Sequence, residues 1–416
     1  MNIFKKTIVS YGTMSEDLDD FFSDYLDKNP LFKNKKFLQA NYMPETIIHR
    51  EEEIKHMAKI LAPVLRGDKP SNLFIYGKTG TGKTLTTQHV ARKLTNAKDQ
   101  TNNNEFELKI IYVNCKLRRV ADTEYRLIAQ LAREFGKDIP PTGLPTDEVY
   151  NIFKKALEDK NQVVLLILDE IDQLIKKAGD EVIYSLTRMN SELKNTQISI
   201  IGISNDLMFT DHLDPRIKSS LSEEELMFPP YNALQIQEIL RKRADLSFIT
   251  NAIDKGVIEK CSAYAAREHG DARRALELLR VAGELAERDG KEVLTIDFVD
   301  LAEGKIEKDR VFDIVSTQPK QFQAVLYAII EISKKQKTSI LTGEIYLQYK
   351  NICGHSGLRP LTQRRVSDIL SELDMLGIIN AKITSKGRYG RTREVSLAIP
   401  NQTKINIEKV LKENLF

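Results

Sequence analysis

The chain has 416 residues, of which 41% are hydrophobic and 29% charged, with a formal net charge of +3. That length exceeds one ordinary core and predicts two or three domains, while a charge so close to neutral does not by itself announce nucleic acid. No apolar run approaches a membrane span, and the acidic start lacks an apolar leader region, which points to the cytoplasm and to no membrane partner. Three cysteines (Cys115, Cys261, Cys353) and six histidines are scattered without metal-ligand spacing, so buried reduced thiols are expected and a zinc site is not.

In chain order, the first forty residues begin acidic, from Ser15 to Asp20, and turn basic at Lys33, Lys35 and Lys36. They read as a mobile arm with a short helix, which suits a solvated tail as well as a functional one. Behind Pro44, the spacing of Ile54, Met57, Ile60, Leu61 and Val64 predicts a helix from His49 that ends at Gly67. Tyr42, Met43 and Pro44 are placed to wall a base pocket, a position that core packing explains nearly as well. Leu73 to Tyr76 then predicts a short buried strand, followed by Gly77-Lys78-Thr79-Gly80-Thr81-Gly82-Lys83-Thr84, which matches G-x-x-x-x-G-K-[ST] at every fixed position. The glycines let backbone N–H groups turn inward as a nest for phosphate at the start of the next helix, through Leu85. Lys83 can reach the β and γ phosphates of ATP, and the Thr84 hydroxyl can ligate Mg²⁺.

A polar tract from Asn96 to Glu105 breaks this helix before a strand, Leu108 to Asn114. Helical periodicity from Lys116 to Phe135 is interrupted by three prolines, and Thr146 is expected to cap another helix. The continuous apolar run Val163 to Leu168 predicts a strand buried on both faces of a parallel sheet. It ends in Asp169, suited to hold Mg²⁺, and Glu170, suited to polarise an attacking water. Another buried strand, Ile198 to Ser204, closes on Asn205, whose amide can orient that water or simply cap a turn. Leu213-Asp214-Pro215-Arg216 resembles the segment in which AAA+ ATPases carry an arginine that enters a neighbour's site, which makes Arg216 the candidate, whereas the later slot that clamp-loader ATPases use holds Ser220.

Phe228-Pro229-Pro230-Tyr231 is a stiff break, and from Ala233 to about Leu301 helical periodicity predicts a small helical domain. A helix starts there at Asp271 and places Arg273 and Arg274 in its first turn, where cations oppose the helix dipole and call for an external partner such as a γ-phosphate. Arg273 is the better candidate. Asp309 to Lys320 reads as a polar connector. Beyond it, a helix from Gln321, a second led by Gly343, a third from Pro360 to Leu370 and two strands, Ile378 to Ile383 and Arg393 to Ile399, make a winged helix. Its candidate DNA contacts are Thr362, Arg364, Arg365 and Ser367 on the third helix and Lys386, Arg388, Tyr389 and Arg391 on the wing.

The order of these segments resembles the archaeal Orc1/Cdc6 replication initiators across nearly the whole chain, most specifically in Asp214-Pro215-Arg216-Ile217-Lys218-Ser219-Ser220-Leu221 and Phe228-Pro229-Pro230-Tyr231. The resemblance implies an α/β, AAA+ P-loop ATPase domain (1–228) with a helical lid (229–309) and a C-terminal winged-helix DNA-binding domain (310–416). It also implies binding of replication-origin duplex, loading of an MCM-type replicative helicase and company of other initiator paralogues. Tyr231 and Arg243 join the nucleotide-contact set. Arg118, Arg119, Tyr125 and Arg126, in the insertion, become further candidates for DNA contact. The expected mechanism is a switch in which ATP·Mg²⁺ between Lys83, Thr84, Asp169 and Arg273 holds base and lid together, with slow hydrolysis. A clamp-loader-like motor and a signalling ATPase whose winged helix binds protein stay open as rivals.

Overall fold

The computed structural model describes residues 30–101, 105–116, 121–140, 142–209, 213–221, 223–335, 340–385, 391–399 and 401–416, and the chain divides into two compact units, 1–299 and 300–416. The first unit opens with the arm expected to carry a short helix, and a 3-10 helix, Lys35–Leu38, lies in it. Leu31 and Leu38 are fully buried, the Lys33 and Asn34 amides donate to Ser247 O at 2.8 and 3.1 Å, and Lys35 pairs with Glu287 at 2.6 Å. Residues 30–40 are therefore not a solvated tail: their apolar residues find a partner in helices more than two hundred positions away, which local composition cannot register. Residues 1–29, with the acidic cluster, lie outside the described residues.

Helix α1 (Glu51–Leu61) runs into a 3-10 turn, Ala62–Arg66, closed by Gly67 at φ 87°. Strand β1 (Leu73–Tyr76) leads through the P-loop into α2 (Lys83–Gln100), which continues through the polar tract expected to end it, since nothing from Asn96 to Gln100 forbids helix. Then follow β2 (Glu107–Asn114), α3 (Glu124–Glu134), α4 (Thr146–Glu158), β3 (Gln162–Asp169), α5 (Ile171–Ala178), α6 (Glu181–Arg188), β4 (Thr196–Ser204), α7 (Pro215–Leu221) and β5 (Glu224–Met227). Helix α3 begins at Glu124, where the Thr123 side chain accepts from the Arg126 amide, rather than at Lys116. Thr146 is the first residue of α4 rather than its cap, and Pro145 takes the capping position with no side-chain bond.

The five strands form one parallel sheet in the order β2-β3-β4-β1-β5. Central β3 is buried at all eight positions, and its alternate residues feed two cores. Val164, Leu166 and Leu168 pack with Phe74, Ile111 and Val113 on one face; Val163, Leu165 and Ile167 pack with Leu73, Ile75 and Phe228 on the other. The order switches between β4 and β1, which lie side by side, so the P-loop after β1 and the carboxyl ends of β4 and β3 open onto one crevice.

Helices α8 (Ala233–Ser247), α9 (Val257–Arg267) and α10 (Ala272–Arg288) complete a lid within this unit. A capping box between Asn232 and Gln235 starts α8, and the Asp271 carboxylate caps α10 by accepting from the Arg273 and Arg274 amides. Helix α11 (Ile296–Thr317) occupies most of the stretch expected to be a connector, because no glycine or proline interrupts it between Gly304 and Pro319. The second unit holds α12 (Lys320–Lys335), β6 (Ile340–Leu341), α13 (Thr342–His355), α14 (Gln363–Met375), β7 (Ile379–Ser385), β8 (Arg391–Leu397) and α15 (Asn401–Leu415), with an antiparallel sheet in the order β6-β8-β7. Val366, Ile369, Leu370 and Leu373 of α14 are buried in its core with Tyr349 and Ile379. All three cysteines are buried, and none is in a disulfide.

Candidate functional site

Gly80 and Gly82 carry the P-loop through left-handed backbone, at φ 69° and 89°, where side chains are strained. Neither has room for one. A Cβ on Gly80 would fall 1.8 Å from Asp271 Oδ1 of the lid, and one on Gly82 would fall 2.8 Å from the Tyr231 hydroxyl. The Ala272 amide donates to Gly80 O at 3.3 Å, so the start of α10 rests on the loop.

Lys83 is 5% exposed, and its ammonium donates to Gly77 O (2.8 Å), Lys78 O (2.7 Å) and Asn205 Oδ1 (2.8 Å). Burial, then the nearby Arg273 guanidinium, push its pKa down to about 8 against the pull of Asp169, Asp271 and Asp172. Thr84 Oγ1 donates to Asp169 Oδ2 at 2.8 Å, the Tyr112 hydroxyl donates to the same oxygen at 2.7 Å, and the Glu170 amide donates to Oδ1 at 3.0 Å. Burial and the Asp169 carboxylate push the Tyr112 phenol above its ordinary value, so it stays a donor. Glu170 stands at φ 55° where β3 turns into α5, a sparsely populated conformation for a side chain of its size, with Lys116 Nζ at 3.8 Å. Two hard oxygen donors, Thr84 and Asp169, converging beside a buried lysine and a glycine cradle fit Mg²⁺ and a nucleoside triphosphate.

A cavity of about 1020 Å³ extends from this cradle. Tyr42, Met43 and Pro44 line it together with Gly80, Gly82, Thr84 and Leu85 from the P-loop and Tyr231, Arg243 and Arg273 from the lid side. Arg243 is buried beneath the wall: Nη1 donates to Phe37 O at 3.1 Å and its guanidinium lies 4.4 Å from the Tyr42 ring centre, so it shapes the pocket through Tyr42. Arg273 is exposed toward the space, whereas Arg274 is tied to Glu268 at 3.3 Å. Lys78 and Thr79 are exposed outside the lining, with Lys78 Nζ 3.3 Å from His269 Nδ1. Arg216 does not line the cavity either; it clasps Asp214 through two bonds of 3.0 Å.

Two site residues escaped the sequence reading. Arg50 is 2% exposed, donates from Nε to Thr81 O (3.0 Å) and from Nη2 to Pro229 O, pairs with Glu53 at 2.8 Å and lies 4.0 Å from the Tyr231 ring centre. A cation just ahead of α1 opposes that helix's dipole, the same signal that singled out Arg273. Tyr112 offered no such signal, because an aromatic in a strand is ordinary.

The candidate DNA contacts are dispersed over both units. Arg118 and Arg119 lie outside the described residues, as do Lys386, Arg388 and Tyr389; Arg391 opens β8 opposite Ser385. The Tyr125 hydroxyl donates to Pro140 O at 2.8 Å and Arg126 pairs with Asp122 at 3.3 Å, both residues lining a second cavity of about 880 Å³ with Arg133. On α14, Thr362 is the N-cap, its hydroxyl accepting from the Arg365 amide at 3.4 Å. Arg364 and Arg365 are exposed, Arg365 beside Asp368 (3.6 Å) and Glu372 (3.7 Å), while the Ser367 carbonyl accepts from Arg393 at 3.1 Å.

Family models match three stretches: an AAA domain over residues 66–207, a Cdc6 AAA+ ATPase-type lid domain over 237–304 and the CDC6 C-terminal winged helix domain over 313–406. Fold and site thus define an AAA+ ATPase-type chain with a helical lid and a winged helix. It is 50% identical over 386 residues to the ORC1-type DNA replication protein of Thermococcus onnurineus, covering 92% of each, and 50% identical over 396 residues to ORC1-type DNA replication protein 1 of Archaeoglobus fulgidus, covering 95% of this chain and 93% of that one. The Aeropyrum pernix ORC1 protein, solved in complex with DNA, is similar with a TM-score of 0.82 and 44% identity over 92% of this chain and 97% of its own. The chain belongs to the archaeal Orc1/Cdc6 family of ORC1-type DNA replication proteins. Among the described residues, no helix is long and apolar enough to cross a membrane.

Proposed function

We propose that the protein is an ATP-dependent replication initiator. It binds origin duplex through its winged helix and the insertion after β2 and helps recruit an MCM-type helicase, with other initiator paralogues beside it on the DNA. The observation that carries this reading is the seating of the lid on the P-loop. Asp271 and Ala272 abut Gly80, so a nucleotide in the adjoining cavity touches base and lid at once and biases their arrangement. Lys83 and the P-loop amides hold phosphate oxygens, Tyr42, Met43 and Pro44 bound the base, and Arg273 faces the phosphate end from the lid. When bound, Mg²⁺ supplies charge neutralisation between the phosphates and the Thr84 and Asp169 oxygens. Glu170 accepts a hydrogen bond from the attacking water, and Asn205 fixes Lys83. Turnover is slow, because Arg216 lies outside its own chain's cavity and a trans arginine is worth on the order of 10³ to 10⁵ in rate in other phosphoryl-transfer enzymes.

The test is fluorescence anisotropy with labelled origin and scrambled duplexes over a salt series, for wild type and Lys83→Ala, with ATP, ADP or neither. Nucleotide-dependent origin affinity, lost in Lys83→Ala, supports the switch. Origin binding that ignores both nucleotide and the substitution refutes it, and failure to bind any duplex refutes the initiator reading.

A further inference from the structure

We infer that the Tyr112 hydroxyl is a positioning group for the divalent cation that accompanies ATP, holding the Asp169 carboxylate in the orientation that ligation requires. The inference rests on the nucleotide reading of the site and goes beyond it by assigning a role to a residue on the edge strand, outside the P-loop and outside the motif at the end of β3.

Strand β2 lies at the edge of the sheet, and its register places Asn114, not Tyr112, beside Asp169. Strand alternation sends Ile111 and Val113 into one core and turns Tyr112 to the other face, with Leu108 and Ile110. From there the long phenol side chain reaches the Asp169 carboxylate two positions further along the sheet, at 2.7 Å. Tyr112 remains 40% exposed, while Asp169 is 5% exposed. A residue that exposed adds little to the core, so the hydrogen bond rather than packing is what the side chain contributes.

Each carboxylate oxygen already has a protein donor: Glu170 N on Oδ1, Thr84 and Tyr112 on Oδ2. A phenol that donates to a carboxylate fixes its rotation about the Cβ–Cγ bond. The lone pairs left over are then held beside Thr84 Oγ1, where the cation is expected, instead of being averaged over two faces. Groups that orient a metal ligand in this way typically cost 10- to 100-fold in metal affinity when removed.

The experiment titrates full-length wild type, Tyr112→Phe, Asp169→Asn and the double variant with a fluorescent ATP analogue, in EDTA and over a range of Mg²⁺. Tyr112→Phe is expected to bind the nucleotide as wild type does in EDTA and to need about tenfold more Mg²⁺ for the same gain in affinity. In the Asp169→Asn background the same substitution is expected to change nothing further. An unchanged Mg²⁺ requirement in Tyr112→Phe overturns the inference. So does an equal loss in EDTA, which marks a structural role, or a lowered requirement, which marks a hydroxyl that competes with the cation. Wild type that binds no nucleotide, or binds it without regard to Mg²⁺, overturns the nucleotide reading itself and is distinguishable from all of these.

Discussion

The ammonium of Lys83 and the side-chain oxygen of Asn205 are joined at 2.8 Å, linking the P-loop to the end of β4 through two side chains whose chemistry was read independently from the sequence. The bond belongs to a lysine whose charge is expensive where it sits. Its pKa is about 8 in the fold against an ordinary 10.5. Below pH 8 both native and unfolded chains carry the proton, so this group adds no pH dependence. Between 8 and 10.5 the unfolded chain keeps a proton that the native chain has shed, and stability rises with pH. Urea unfolding across that window should show a contribution of up to about 3 kcal/mol in wild type that is missing from Lys83→Met. ATP phosphates restore the proton, so calorimetry above pH 8 in buffers of different ionisation enthalpy should report proton uptake on binding.

Arg50 joins the start of α1, the P-loop and the Pro229 segment. Arg50→Met leaves Glu53 facing a buried space without its cation and strips Thr81 O of its donor. Glu53 is only partly buried, so losing its partner and the donor on Thr81 O costs about 1 to 3 kcal/mol, and the variant's first unfolding transition should fall accordingly. Arg50→Lys keeps the charge but not the fork that bonds in three directions, so it should recover only part of the loss.

Gly80→Ala tests the seating of the lid. An alanine held at φ 69° costs about 1 to 2 kcal/mol on conformation alone, and its methyl needs the place of the Asp271 carboxylate that caps α10. Nucleotide affinity is expected to drop at least about tenfold. Equilibrium binding checks it, and Gly304→Ala, in open helix surface with nothing near its Cβ, serves as the neutral comparison.

On the winged helix the two neighbouring arginines should differ. Arg365 has Asp368 and Glu372 beside it, so its charge is already partly answered within α14. Arg364→Glu is therefore expected to weaken duplex binding more than Arg365→Glu and to lower the salt slope by about one. Arg388→Glu with Arg391→Glu on the wing should add to that loss; equal affinities for all these variants across salt would remove α14 and the wing from the DNA interface.

What the sequence made legible follows from how far each signal reaches. The P-loop, the strand run into Asp169 and the helix start at Asp271 are written in consecutive or periodic residues, and the fold places them as expected. Arg50 and Tyr112 act through partners that only folding supplies. Helix α11 went unread for a different reason. Phe298, Val299 and Ala302 are buried near its start and Val311, Ile314 and Val315 pack near its end, yet at 100° per residue the two groups fall on nearly opposite sides. No single apolar stripe runs along it, and a helix without a stripe reads as a linker.

The segment from Leu31 to Leu38 gives the lid a second moorage besides the chain link at Pro229–Asn232. Amide bonds to Ser247, the Lys35 pair with Glu287 and the Phe32 ring 4.4 Å from that of Phe248 fasten it to the far margin, from where the backbone returns past Tyr42 to α1. Two separate attachments restrain a rigid body against more rotations than one does. A lid tethered by the stretch from Gln39 to Arg50 as well as by the proline pair has two chain segments, rather than one, to set its reach.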